Sequence, residues 1–228
     1  MKIYMLLAKI PQTVFIFVCL AYISNASETN KDSFIKDKIL DKIDDITKRK
    51  KPPKFVWKDS TYEDIKYRLS LDDRGQIGEE LLADVFIDEN RFVVDYQKNI
   101  TSTDKGYDII INNKKIEVKT ATITTNSGNF QHEHLQIDRD FDMIFFVDIA
   151  PNQVFLTAVK KADVIWSKKR TDSKKKRPLH RRPNGDYKCD FTIKHITNND
   201  IPKFRKFVTG EIKTKKSMIN IVQKALEL

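Results

Sequence analysis

Residues 106–121 read GYDIIINNKKIEVKTA, and the fold turns on how this stretch is read. Two β-rich runs flank Asn112-Asn113, and asparagine tolerates the positive φ that a two-residue hairpin turn requires. Such a turn fixes the register: Ile111 faces Lys114, Ile109 faces Ile116, and Asp108 faces Glu117. By the strand period of two, Lys119 emerges on the Glu117 face, while Ile109, Ile111, Ile116 and Val118 take the other. Either the acids form the wet face of an ordinary ribbon, or they are a metal site with a charged partner beside it. Like charges directly across a ladder are destabilising, so a positive charge belongs between Asp108 and Glu117. Lys119 would serve, and a divalent cation would serve better.

Upstream, DDRGQIGEELLADVFIDEN (72–90) has helical spacing in Ile77, Leu81, Leu82, Val85 and Phe86, with Asp72 or Asp73 as cap and Asn90 as stop. Gly78, Leu82 and Val85 mark the middle of the buried face. Glu79 then falls on its flank beside Phe86, and Glu80 points to water. Gly75 and Gly78 lie on the same side, where a missing Cβ admits another backbone. Around the hairpin stand further β-rich runs, RFVVDY (91–96), DMIFFVDI (142–149), QVFLTAV (153–159) and CDFTIKHI (189–196). KKADVIWSKK (160–169) and SMINIVQKALEL (217–228) read as helices. The order predicts an α/β fold, a mixed β-sheet flanked by helices.

The N-terminal region stands apart. Lys2 and Lys9 precede the apolar run 14–23 and the small residues Ser24 and Ala26, so 1–26 resembles a secretory signal peptide. The alternative is an apolar helix packed on the core; no stable membrane insertion is expected of so short a run. Residues 27–60 read as a helical arm and linker, with Ile35, Ile39, Ile43 and Ile46 on one helical face and Pro52-Pro53 ending it. The main domain is expected over 61–228. Outside the apolar run only Cys189 remains, which excludes a disulfide framework and a cysteine-rich zinc site.

The chemistry available to the hairpin is specific. Mg²⁺ prefers oxygen ligands and commonly takes one or two carboxylates, with waters and substrate phosphate completing its shell. Asp108 and Glu117 supply the carboxylates, and the Val118 carbonyl is positioned to add a third oxygen. Glu79 could bind directly, through water, or to a second ion. A metal there acidifies a bound water and neutralises charge on a scissile phosphate, while Lys119 orients that water and stabilises the transition state.

"GYD", followed nine positions later by "EVK", with "GQIGEE" on a preceding helix, resembles the PD-(D/E)xK nuclease superfamily of restriction-endonuclease-like folds. The resemblance implies a restriction-endonuclease-like core with catalytic Asp108, Glu117 and Lys119, and Glu79 as an assisting helix acid. Tyr107 stands where the family's proline would be. Residues 128–156 look like the segment that follows the active-site lysine in many type II restriction enzymes, and Gln131 there is a candidate for touching the metal's water or the DNA. The implied activity is Mg²⁺-dependent DNA endonuclease, with Mn²⁺ expected to substitute. Double-stranded DNA is the implied partner, and a homodimer would suit the cutting of both strands.

The charge agrees with a polyanionic partner. Lys and Arg outnumber Asp and Glu by 42 to 32, a formal net charge of +10, and residues 167–183 hold nine Lys and Arg against one acid. Lys174, Lys175, Lys176 and Arg177 can track phosphates, and Arg177, Arg181 and Arg182 are of the type that reads base edges. His132 and His134 would share one strand face with no third ligand nearby, which favours surface or DNA-contacting roles over metal ligation. Competing readings are a repair, recombination or nonspecific nuclease of the same fold, exported if the signal peptide is genuine, and a non-catalytic DNA-binding module. A restriction role places the chain in the cytoplasm.

Overall fold

The computed structural model describes residues 54–87, 89–96, 106–166 and 179–227, together with Leu40, Lys42, Ile43 and Lys48, which are helical. Residues 1–26, the other residues of 27–53 and the tract 167–178 lie outside the described residues. The chain divides into two units, Met1–Pro52 and Pro53–Leu228. The second begins ahead of residue 61 because Trp57 is buried in its core.

The second unit opens with two helices, α1 (Glu63–Tyr67) and α2 (Leu71–Ile87). Ser70, not Asp72 or Asp73, caps α2. Its hydroxyl accepts the Asp73 N–H at 3.1 Å, and Asp73 Oδ2 in return accepts the Ser70 N–H at 3.0 Å. The Ser70 hydroxyl also donates to Asp73 Oδ2 at 2.7 Å, and this bond, then that from the Ser70 N–H, stabilises the ionised carboxylate and holds its pKa below the ordinary value.

A six-stranded mixed sheet follows, in the order β1-β2-β3-β5-β6-β9. Its strands are β1 (Val94–Tyr96), β2 (Ile109–Ile111), β3 (Lys114–Thr122), β5 (Met143–Ala150), β6 (Gln153–Lys160) and β9 (Val208–Glu211). β3 and β5 run parallel, and every other pair in this sheet is antiparallel. The hairpin register is the predicted one: Ile109 pairs with Ile116 and Ile111 with Lys114. Asn112 and Asn113 take φ of 48° and 63°, both left-handed, as a type I′ turn requires. Every residue of β5 is buried, the pattern of a central strand covered on both faces.

Helices cover one face. Thr120 lies beneath α2, where a Cβ on Gly78 would stand 2.0 Å from the Thr120 hydroxyl, so the helix can sit at that depth only with glycine. A Cβ on Gly75 would meet nothing within 4 Å, and what Gly78 admits is the Thr120 side chain rather than the expected backbone. α4 (Lys215–Leu226) lies over β6 and β9 on the same face, with Ile221 against Gly210.

The opposite face is covered by a second sheet rather than by helices. Its strands are β4 (Asn129–Leu135), β7 (His180–Arg181) and β8 (Tyr187–Thr192), in the order β4-β8-β7. Phe130 meets Phe155 edge-on across the layers, and Phe191 meets Phe146. Of the expected helix 160–169, the described residues 160–166 are instead the end of β6 and one 3-10 turn, Lys161–Asp163, running into an isolated bridge from Val164 to Phe204. The expected strand 189–196 ends at Thr192, whose hydroxyl caps the short helix α3 (Ile193–Thr197). Among the described residues no helix is long and apolar enough to cross a membrane.

Candidate active site

Asp108 sits just ahead of β2, where the ribbon leaves β3. Its backbone N–H donates to the Ile116 carbonyl at 2.9 Å, and its Oδ2 accepts the Val118 N–H at 2.7 Å. The residue therefore bridges the two positions that flank Glu117. Backbone polar groups alternate between the edges of a strand, so the Val118 carbonyl turns to the same edge as the Val118 N–H, beyond the end of β2.

Glu117 is the most enclosed member, at 1 % exposed. Neither carboxylate oxygen receives a well-angled hydrogen bond among the described residues. Two cations serve it instead: Lys119 Nζ lies 2.6 Å from Oε1, and the Arg139 guanidinium lies 3.7 Å from the same oxygen. Lys119 is thus a close charge contact that lacks hydrogen-bond direction.

The acids feel one another. Burial, then the charge of Glu117, raises the Asp108 pKa to about 6, against the pull of the Val118 N–H, Lys119 and Arg139. Burial, then Asp108, raises that of Glu79 to about 7, with Lys119 opposing. Burial and the charges of Glu79, Glu80 and Asp108 push the nearby Tyr96 phenol up to about 12.

Glu79 lies deeper than the flank expected for it. The buried residues of α2 are Gly78, Leu82, Ala83 and Phe86, with Val85 only partly covered. At 100° per residue this turns the buried face by about 60° toward Glu79. Glu80 is half-buried rather than out in water, and Gln76 Nε2 donates to its Oε1 at 2.6 Å.

Arg139 is the site residue that sequence reasoning missed. The loop Gln136–Asp142 carries it, and neighbours fix that loop closely. Arg139 Nε donates to Gln136 Oε1 at 2.6 Å, and Lys161 Nζ donates to the Arg139 carbonyl at 2.5 Å. The Lys115 N–H donates to Asp142 Oδ2 at 2.9 Å, and the Lys115 ammonium pairs with Asp140. Gly106, the glycine of GYD, takes φ +78°, and a Cβ there would stand 2.9 Å from the Asp140 nitrogen. That glycine lets the Asp108 and Arg139 segments pass each other. The only sequence signal was a lone arginine among alternating aspartates, Asp138, Asp140 and Asp142, whose partners are not legible from spacing.

Other expected site residues do not join this group. Gln131 is exposed, on the face of β4 opposite Phe130 and His132. That outer face carries a mesh of ion pairs in which Glu133 holds Arg182 at 2.7 Å and Lys188 at 3.4 Å. Arg182 is therefore already paired, and Arg181 donates to the Gly185 carbonyl at 3.4 Å. Lys174, Lys175, Lys176 and Arg177 lie outside the described residues. The two histidines do not share a face, because a bulge between His132 and Leu135 breaks the alternation and His134 takes φ +59°. His132 is buried, not at the surface, and bonds Asp148 and the Cys189 carbonyl. His134 is exposed and pairs with Asp186 at 2.8 Å.

Among the described residues no three His, Cys, Asp or Glu side chains converge as a self-sufficient metal cluster. A two-carboxylate site remains, and its buried, unbonded Glu117 oxygens fit a hard cation that completes its shell with water and phosphate. Glu79 stands within its electrostatic reach rather than in a closed set of three acids. Comparison with protein-family models, with curated proteins and with solved structures finds no match.

Proposed function

We propose that the chain is a metal-dependent DNA endonuclease that hydrolyses phosphodiester bonds, most like a type II restriction enzyme of the PD-(D/E)xK superfamily. One observation carries the reading: a buried glutamate with two unbonded oxygens, set opposite an aspartate whose pKa is about 6. Such an arrangement is costly for stability alone, since buried like charges repel and go undersolvated. Asp108, Glu117 and the Val118 carbonyl would hold Mg²⁺ or Mn²⁺. The ion, when bound, supplies Lewis acidity and a more acidic water. Lys119 Nζ, held beside Glu117, orients the attacking water and donates to phosphoryl oxygen as charge builds there. Glu79 shapes the field around the pair from α2. The net charge of +10 and the basic tract 167–183 supply attraction for the DNA backbone.

The test is digestion of a defined plasmid by the purified chain with Mg²⁺, Mn²⁺ or EDTA. Metal-dependent discrete fragments support the restriction-like reading, and a metal-dependent smear shifts it to a nonspecific nuclease. DNA binding without cleavage in either metal sinks the enzyme reading. Neutralising Lys174, Lys175, Lys176 and Arg177 together should weaken duplex binding and flatten its salt dependence, by about one slope unit for each phosphate that is no longer neutralised. An unchanged slope removes the tract from the interface.

A further inference from the structure

Two cations serve Glu117, and they are held differently. Lys119 makes the short contact at 2.6 Å from the same strand, whereas Arg139 stands off at 3.7 Å on a separate loop. Only the Arg139 Nε is hydrogen-bonded among the described residues, to Gln136 Oε1 at 2.6 Å. The two terminal nitrogens of its planar fork are left without hydrogen bonds there, although the side chain is only 21 % exposed. An arginine built only to neutralise Glu117 would grip the carboxylate with both of those nitrogens, the geometry guanidinium and carboxylate prefer. This one is fixed at its neck and loose at its tip.

The charge count gives that arrangement a use. With Asp108 and Glu117 ionised, Lys119 and Arg139 balance them to zero. A divalent cation on the carboxylate pair leaves an excess of two positive charges, and Arg139 then has no electrostatic reason to stay on Glu117. A phosphodiester gains negative charge as it is attacked, and its paired oxygens match a guanidinium fork.

Resting on the nuclease reading above, we propose that Arg139 is a displaceable counter-ion that neutralises Glu117 in the metal-free chain and contacts the scissile phosphate once the carboxylates hold a divalent cation. Gln136 is its positioning residue, keeping Nε fixed while the terminal nitrogens change partner. The motion is a pivot of the whole planar guanidinium about its Nε–H bond to Gln136 and leaves the loop in place, because Lys161 Nζ holds the Arg139 carbonyl and the Asp142 N–H and carbonyl are bonded to the Lys115 carbonyl and the Lys161 N–H, each at 2.8 Å.

The test separates metal from chemistry. Mn²⁺ is titrated calorimetrically into wild-type, Arg139→Met and Arg139→Lys chains without DNA, and single-turnover cleavage of a labelled duplex is followed in parallel. Arg139→Met removes a positive charge that competes with the ion, so Mn²⁺ should bind roughly tenfold more tightly while cleavage falls roughly a hundredfold. Arg139→Lys keeps the charge but not the fork, so its Mn²⁺ affinity should stay near wild type while cleavage drops. Gln136→Ala, which leaves the charge in place, should lower the cleavage rate without changing Mn²⁺ affinity. Mn²⁺ binding no tighter in Arg139→Met than in wild type overturns the exchange, and so does undiminished cleavage by that variant. If Arg139→Met does not fold, wild-type cleavage by Arg139→Lys, or by Gln136→Ala, overturns it as well. A wild-type chain that binds Mn²⁺ but cuts no nucleic acid sinks the nuclease reading and with it the phosphate contact, while the affinity comparison still decides whether Arg139 competes with the ion for Glu117.

Discussion

Two buried carboxylates share one face of the six-stranded sheet: Glu117 on β3 and, across the ladder and further along, Asp148 on β5. Both are essentially inaccessible, and both have a basic partner. Asp148 Oδ1 bonds the His132 ring at 2.8 Å, and the other ring nitrogen is occupied by the Cys189 carbonyl at 3.0 Å. Phe191 stacks on that ring at 5.0 Å and Phe146 closes its edge, so the partner is as buried as the acid. Glu117 has partners with a route to water, Lys119 and Arg139 being about one-fifth exposed. A third group of its own sign, Asp108, lies opposite. The Asp148 pair is sealed between two layers, whereas Glu117 is crowded by a like charge and neutralised by cations that reach water.

The sharpest way to break this contrast is to remove one member from each pair. Glu117→Gln or Asp108→Ala should reduce Mg²⁺-dependent DNA cleavage by about three orders of magnitude or more, while metal-free stability holds or rises slightly. His132→Ala should do the reverse in stability, costing about 3–4 kcal/mol through a broken hydrogen bond and a cavity between Phe146 and Phe191. Plasmid digestion and chemical denaturation read both. A Glu117→Gln chain with near-normal cleavage removes the hairpin from the chemistry, and a marginal effect of His132→Ala removes Asp148 from the framework.

Gly106→Ala ought to damage both properties, less completely. Its φ of +78° disfavours any side chain, and the added methyl would meet the Asp140 nitrogen. A cost of about 2–3 kcal/mol is expected, together with impaired cleavage, because the contact joins the segments that carry Asp108 and Arg139. Unchanged denaturation midpoints would show that the two segments accommodate the methyl freely.

How far the sequence foretold this contrast depends on the range of the interactions. Asn112-Asn113 set the hairpin register through local backbone geometry, so the pairing of Ile109 with Ile116 and of Ile111 with Lys114 was legible in advance, whereas Asp108 leaves the ladder and takes the Val118 N–H on its side chain. The cover of the second face was not legible. β4 and β8 pair across more than fifty residues, and a bulge with positive φ at His134 turns that side chain outward where a simple alternation rule would keep it beside His132. KKADVIWSKK has helical composition, yet Lys160 completes β6 and Val164 bridges to Phe204. Arg139 was illegible for the same reason, since its partners Gln136 and Glu117 come from a turn and a distant strand.

The open acid should also make the metal-free chain respond to pH in an unusual sense. Folding raises Glu79 from 4.5 to about 7 and Asp108 from 3.8 to about 6. The folded chain then holds protons that the unfolded chain releases between about pH 4 and 7, so these groups make stability fall as pH rises through that window. The half-buried His195, whose pKa is lowered, opposes them near its own titration. A comparison with Glu79→Gln cancels that term. In EDTA the variant should melt slightly above wild type at pH 5 and well above it at pH 8, the two converging only below about pH 4. A difference that is constant with pH would mean that neither burial nor the charge of Asp108 raises Glu79.

The smallest expected effect is the most discriminating, because it compares neighbours on one helix. Glu79 is drawn toward the buried face and feels Asp108, Glu117 and Lys119, while Glu80 is engaged with Gln76 one turn back. Glu79→Gln should lower the cleavage rate a few-fold and raise the Mg²⁺ needed for half-maximal rate, since a charge supporting the cation is gone. Glu80→Gln replaces a charge-assisted bond with a neutral one on the helix flank, so it should cost only about 0.5 kcal/mol and leave the Mg²⁺ requirement nearly unchanged. Titrating Mg²⁺ in single-turnover assays of both variants reads the difference. Should Glu80→Gln shift the Mg²⁺ requirement as much as Glu79→Gln, the field at the carboxylate pair would belong to the helix as a whole, and Glu79 would have no separate role.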